Sequence, residues 1–233
     1  MRAIILAAGM GTRLRPLTLT TPKSLIKIGK ETLIERQIRF LREVEVDEII
    51  VVTGYLAEKF QFLEDKFGVT LVHNDRYDSY NNFYTMYLVR DYLSDCYVID
   101  ADNYLVENFL ESDIKQSTYF SAYKEDFKDE WLLKFNSASQ VNDIVVTSGK
   151  GYILSGVSYW SSESGEFLKN VLEDYYQLGD FADLYWDNLV MDNLEKISVS
   201  IKKISSDAIF EVDSLSDLEN LKEFVLKAGI NTD

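Results

Sequence analysis

The stretch Leu6–Lys23 constrains this chain more than any other. It follows a short apolar run, Ala3–Leu6, and places glycines at 9 and 11, cations at 13, 15 and 23, and little bulk between them. Small residues let backbone N–H groups approach a ligand closely, and the cations offset charge that backbone dipoles alone cannot. Such a loop is suited to closing on a polyphosphate. It is not a P-loop, because G-x-x-x-x-G-K-[ST] is absent, and it lacks the third glycine of the dinucleotide fingerprint. A lone G-x-G is also compatible with an ordinary strand-to-helix turn. The full string G-x-G-T-R-L-x-P-L-T-x-x-x-P-K from Gly9 to Lys23 is far more specific.

The chain of 233 residues fits one domain, 1–233, and an apolar fraction of 46% is ample for a core. Its apolar runs are short and broken by charges, so no membrane span is expected. Met1–Ala3 leads straight into a strand, without the pattern of a signal peptide. A single cysteine, Cys96, excludes an internal disulfide and suits a reducing cytoplasm; buried strand packing is its expected role. One cysteine and one histidine exclude a Cys/His zinc site. The net charge of −15 argues against a general nucleic-acid binder. Residues 1–42 hold nine Lys or Arg against two acids, a local +7 that leaves the remainder at −22. One anion-binding end in an acidic body follows. Arg36, Arg39 and Arg42 are expected to be the solvated face of a helix.

Strand and helix alternate up to about residue 100. Apolar runs at 2–7, 48–53, 69–73 and 96–99 separate helical spacing at 32–43, with Ile34, Ile38 and Leu41 on one face, from that at 56–66 and 80–93. This rhythm predicts an α/β fold, a doubly wound, mostly parallel (Rossmann-like) sheet. Ligands sit beyond the carboxyl ends of strands in such sheets. The glycine loop and Asp100/Asp102 both fall there. From 117 to 160 strands dominate, which predicts a small antiparallel extension covering the active site, with Gly149–Gly151 as its hairpin turn. Helices are expected again at 163–177 and 183–194, a strand at 197–204, and a closing helix from Ser214, its N-cap, to Lys227.

The long glycine-loop string resembles the N-terminal motif of nucleotidyltransferases that make nucleoside-diphosphate sugars and alcohols. Further segments, Tyr80–Tyr84, Tyr97–Tyr104, Glu130-Trp131, Ser155–Val157, Asp183–Asn188 and Glu211–Ser214, make the chain similar to bacterial CTP:phosphocholine cytidylyltransferases of the LicC type. The resemblance implies CTP and phosphocholine as partners and Mg²⁺ as cofactor. It implies that backbone groups of Leu6, Ala7 and Ala8 meet the base and ribose, that Gly9, Gly11 and Thr12 shape the phosphate loop, and that Arg13 holds the β,γ-phosphates. Lys23 should contact the α-phosphate or the incoming phosphate, and Pro22 fixes it directly behind the loop. Nucleotidyl transfer to a phosphate needs no protein nucleophile; the enzyme positions two anions and stabilises charge on the leaving group.

Asp102, after an apolar strand, suits Mg²⁺, which prefers one or two carboxylates plus phosphate oxygens; Asp100 is its rival. The resemblance implies Asp213 as the second ligand, against a reading as a helix-start carboxylate. Asn82 is either a base-recognising amide or a helix N-cap. A quaternary ammonium neither donates nor accepts hydrogen bonds, so proteins bind it with aromatic faces and nearby carboxylates. Glu130, Trp131, Tyr185, Trp186 and Asp187 pair these types twice and are expected to form the choline cage; the alternative is an aromatic core with solvated acids. Trp160 is expected in the core. Alternative functions are a sugar-1-phosphate or phosphoethanolamine/aminoethylphosphonate nucleotidyltransferase, or an inactive binding relative.

Overall fold

A computed structural model describes residues 1–230 of the chain. Strand β1 (Arg2–Ala7) is apolar on both sides: Ala3, Ile5 and Ala7 enter one core cluster and Ile4 the other. A strand with two buried faces must lie inside a sheet covered by helices on both sides. The glycine loop then leads into a short hairpin, β2 (Lys27–Ile28) and β3 (Glu31–Thr32). Helix α1 (Leu33–Glu43) begins where Thr32 and Glu35 close a reciprocal capping box. Next come β4 (Glu48–Thr53), α2 (Phe62–Phe67), β5 (Thr70–His73), α3 (Asn82–Leu88), β6 (Cys96–Asp100) and β7 (Asn103–Leu105). The antiparallel part comprises β8 (Thr118–Phe135), β9 (Val141–Tyr152) and β10 (Val157–Trp160). Helices α4 (Ser162–Leu178) and α5 (Trp186–Met191), strands β11 (Ser200–Ile204) and β12 (Ile209–Glu211), and α6 (Leu215–Lys227) complete the described chain.

The main sheet runs β11-β8-β10-β6-β1-β4-β5, with β9 paired to β8. Strands β6, β1, β4 and β5 are mutually parallel, and β10 is antiparallel to both its neighbours. Leu6 sits opposite Val52 on one side and Asp100 on the other, so the carboxyl ends of β1, β4 and β6 finish together. Helix α1 packs on one face through Ile34, Ile38 and Leu41; α3, α4 and α5 cover the other through Phe83, Leu168, Leu172 and Leu189. The expected doubly wound sheet with an antiparallel extension is what forms. Cys96 is fully buried in β6. No helix among the described residues is long and apolar enough to cross a membrane.

A third, smaller cluster anchors the site. Leu218, Leu221 and Val225 of α6 pack on Leu14 of the glycine loop, Ile26, Ile28, Tyr104 and Val212. Burying one such leucine is worth about 1.5–3 kcal/mol, so α6 is a brace for the loop. Ser214 caps this helix as expected, in a box with Asp217.

Four expectations need correction. Arg36 is 3% exposed, not solvated. Its guanidinium donates to the carbonyls of Leu105 and Val106 and to Glu31, and lies 4.6 Å over the Tyr104 ring. Arg42 is half-buried and donates to the carbonyls of Val46 and Phe67; Arg39 alone of the three stays on the wet face. Gly149–Gly151 is not the hairpin turn. The turn lies at 136–140, where Asn136 Oδ1 accepts from the amides of Ala138 and Gln140. Both glycines lie inside β9, opposite Phe127 and Lys124, where the register shifts at bulges. The helix expected at 56–66 is a 3₁₀ turn, Ala57–Phe60, followed by α2. That expected at 183–194 shortens to α5.

Candidate active site

The glycine loop opens directly from β1. Gly11 adopts φ +57°, and a Cβ there would meet Lys23 Cβ at 3.1 Å and Thr18 Cγ2 at 3.2 Å. Thr18 Oγ1 donates to the Gly11 carbonyl at 2.8 Å and closes the loop. A cavity of ≈ 380 Å³ runs along it, lined by Leu6–Gly9, Gly11–Arg13 and Lys23 on one side and by Tyr77, Tyr80, Asn82 and Thr85 on the other. All the residues expected around a nucleotide are therefore gathered in one place.

Asn82 starts α3 but does not cap it. Its Oδ1 accepts from the Trp186 amide at 2.9 Å, which ties α3 to the first turn of α5. The N-cap position belongs to Asn81, whose Nδ2 donates to the Asp183 carbonyl. With its acceptor engaged, the Asn82 amide has hydrogen-bond donors left for a ligand.

A second cavity of ≈ 540 Å³ continues from the first and shares Arg13, Asn82, Asp100, Asp102, Tyr185 and Asp213 with it. Glu130 and Trp131 reach it from β8, just after Asp129, whose φ of +55° marks the bulge that turns the strand. Tyr185 and Asp187 reach it from the start of α5. The Trp131 and Tyr185 rings stand 6.1 Å apart at 77°. Trp186 differs from expectation: it is 4% exposed and packs edge-on against Trp160 at 5.2 Å, so its ring is core with a margin on the cavity. Trp160 is fully buried.

Charge in the cleft is dense. Lys23 Nζ lies 2.7 Å from Asp102 Oδ2 and 2.5 Å from Asp213 Oδ1, and Arg13 reaches Asp213 Oδ2 at 2.8 Å. Burial opposes the Lys23 charge, but Asp102 and Asp213 outweigh it and hold the ammonium above its ordinary pKa. Asp213 is pushed up by burial and pulled further down by Lys23 and Arg13, ending below the usual carboxylate range. Asp100 moves well up, first by burial and then by the charges of Asp102, Asp187 and Glu211. Glu211 also moves up, through burial of its carboxyl and the charges of Asp102 and Asp213. The residue keeps exposed surface, so water moderates that rise. Burial raises Asp187 to about 6 although Tyr119 donates to it at 2.8 Å.

Carboxylate oxygens of Asp102, Glu211 and Asp213 lie within 4.8 Å of one another. Two backbone links bring them together: β12 pairs with β7, placing Glu211 opposite Asn103, and the Val212 amide donates to the Asp102 carbonyl at 3.1 Å. Of this segment only Asp213 is expected from the sequence; Glu211 joins it in the structure. Glu211 ends β12 and Asp213 follows two residues on in extended chain, a spacing that turns both side chains to one side and that the sequence displays. No such spacing marks Tyr119, which holds Asp187 from β8.

A glycine-rich loop with an arginine and a lysine, at the carboxyl ends of parallel strands and facing an acidic cluster, defines a nucleotidyltransferase. Residues 3–99 match the MobA-like NTP transferase domain. The chain is 48% identical to a choline-phosphate cytidylyltransferase of Streptococcus pneumoniae, over 97% of this chain and 98% of the relative. It is 38% identical to one of Haemophilus influenzae, over 95% and 96%. The solved structure of CTP:phosphocholine cytidylyltransferase from Streptococcus pneumoniae superposes with a TM-score of 0.94 at 48% identity, over 96% of this chain and 98% of that one. The chain belongs to the family of bacterial choline-phosphate cytidylyltransferases.

Proposed function

We propose that this chain transfers the cytidylyl group of CTP to phosphocholine, giving CDP-choline and pyrophosphate. The observation that carries the reading is one continuous cleft with a cationic loop at one end and facing aromatic and acidic side chains at the other. The nucleotide lies along Leu6–Arg13, with the Asn82 amide donating to an acceptor on the base. Arg13 and Lys23 exchange their carboxylate partners for phosphate oxygens: Arg13 takes the β,γ-phosphates, and Lys23 takes the α-phosphate or the incoming one. Trp131 and Tyr185 wall the trimethylammonium, while Glu130 and Asp187 supply negative charge without the hydrogen bonds that this head cannot make.

In the transfer, an oxygen of the phosphocholine phosphate forms a bond to the α-phosphorus. The bond from that phosphorus to the α,β-bridging oxygen breaks, and its electron pair leaves with pyrophosphate. No proton need pass through the protein, because the attacking oxygen is already ionised. The donor set suits Mg²⁺: hard carboxylate oxygens at one point, where the Lys23 ammonium already satisfies a demand for positive charge. Asp102 and Asp213 would hold it, with Glu211 in reach. When bound it would neutralise and orient phosphate oxygens. Buried Cys96 fits a reducing cytoplasm as the place of the reaction.

Pyrophosphate release from CTP, with phosphocholine, phosphoethanolamine, 2-aminoethylphosphonate and glucose 1-phosphate offered in turn, tests the reading. Phosphocholine is expected to give the highest kcat/KM. A higher value for any other acceptor overturns it.

A further inference from the structure

The turn that presents Asp102 to the cleft is gripped by a side chain that lines neither cavity. Gln37 lies on α1 and is fully buried. Its Nε2 donates to the carbonyls of Asp100 at 3.0 Å and Asn103 at 2.8 Å, the first and last residues of the turn. Its Oε1 has no hydrogen-bond partner. A buried acceptor without a partner costs stability, and an apolar side chain of equal length would avoid that cost. What Gln37 offers in exchange is a clamp between the two ends of the turn.

Asn103 Nδ2 also spans the turn, but with a long 3.4 Å bond to the Asp100 carbonyl, and Lys23 Nζ holds the Asp102 carboxylate itself at 2.7 Å. The other restraints act at single points. The Ala101 amide donates to the Leu6 carbonyl, and the Asp102 carbonyl accepts from Val212. Gly156, at φ +69°, lets the opposite wall close in: a Cβ there would come within 2.8 Å of Asp100 Oδ2 and 2.3 Å of Asn103 Nδ2. We infer that Gln37 is a positioning residue that sets the place of the Asp102 carboxylate for a divalent cation. The inference rests on the reading above, in which Asp102 holds that cation. Groups behind a metal ligand fix its geometry, and losing one typically lowers metal affinity about 10–100-fold.

Gln37→Met keeps the length and removes both donors. The probe is Mn²⁺, titrated by electron paramagnetic resonance into protein saturated with CTP and without acceptor. Mn²⁺ affinity is expected to fall about 10–100-fold, while CTP affinity in EDTA and the phosphocholine KM at saturating metal stay within about twofold of wild type. Gln37→Asn, too short to reach both carbonyls, serves if the Met variant does not fold, and is expected to behave alike. Wild-type Mn²⁺ affinity in a folded variant overturns the inference. An equal fall in metal, CTP and acceptor affinity also overturns it, because that marks general loosening. So does absence of Mn²⁺ binding by the wild type. Failure of the wild type to form CDP-choline would sink the proposed reaction and leave the Mn²⁺ comparison to decide the role of Gln37.

Discussion

The nucleotide half of the cleft takes one whole wall from a single stretch, Leu6–Lys23, while the acceptor half draws Glu130 and Trp131 from β8, Asp187 from α5 and Glu211 from β12, with Tyr185, just before α5, at the junction of the two. In the first half, covalent spacing sets the geometry, and α6 and Thr18 only brace it. In the second, geometry exists only after a bulged hairpin, a short helix and a strand pair have met. The halves also differ in sign. Arg13 and Lys23 line the first, whereas the second is walled by more carboxylates, three of which burial shifts towards the neutral form. A site built this way can keep its phosphate chemistry fixed while the acceptor changes, because Glu130, Trp131, Asp187 and Glu211 line only the second cavity and sit on segments other than the glycine loop.

Variants on either side should separate these duties. The largest effect is expected at Asp102 and Asp213, which both halves share. Asp102→Asn keeps the shape, removes the charge that would hold a metal, and should abolish Mg²⁺-dependent turnover; Asp213→Asn should follow. A Mg²⁺ titration checks this, and normal turnover of Asp102→Asn at ordinary Mg²⁺ would shift the ligand to Asp100 or Glu211. Next comes Lys23→Ala, expected to lose about 10²–10³ in kcat with an unchanged fold, the usual size for an electrostatic donor at a transition state. Stopped-flow or pyrophosphate-release rates, alongside circular dichroism, test it; near-normal turnover would leave Lys23 only a structural partner of the two aspartates.

A smaller effect belongs to the acceptor half alone. Asp187, raised from 3.8 to about 6, is neutral below that pH and charged above it. Affinity for a choline head should therefore climb as pH rises from 5 to 7 and then level off. The free protein should behave oppositely, because this group's contribution to stability is lost as pH rises from 3.8 towards 6. The phosphate of phosphocholine itself titrates near pH 6, so CDP-choline is the better ligand for calorimetry. Asp100, Tyr119 and Glu211 line the same cavity. The difference between wild type and Asp187→Asn therefore isolates this carboxyl, and identical profiles would remove it from the acceptor site.

The same division explains what the sequence let one read. The glycine loop, Asp102 at the end of β6 and the alternation of strands and helices were legible, because each is a local pattern with a fixed period or spacing. The hairpin turn was misplaced at Gly149–Gly151, because glycine signals a turn and a β-bulge equally well; the side chain of Asn136 decided between them. Arg36 read as solvated because a charge on a helix usually is. What buries it is β7 and the residue after it, whose carbonyls accept from its guanidinium, a partner no helical periodicity encodes. Trp186 and Tyr185 are adjacent in sequence yet point to core and cavity, since consecutive helix-start residues face different directions. Gln37 was invisible for the same reason: its role lies in two carbonyls more than sixty residues away.

The division of labour in the cleft is tested most directly by the ratio of kcat/KM for phosphocholine to that for phosphoethanolamine in Trp131→Ala, with the CTP KM measured in parallel. Losing one aromatic wall is expected to cost the quaternary head about 0.5–2 kcal/mol. A primary ammonium keeps hydrogen bonds to Glu130 and Asp187 and loses less. The ratio should therefore fall severalfold while the CTP KM stays within twofold. An unchanged ratio, or a CTP KM that moves as far as the acceptor's, would contradict the account.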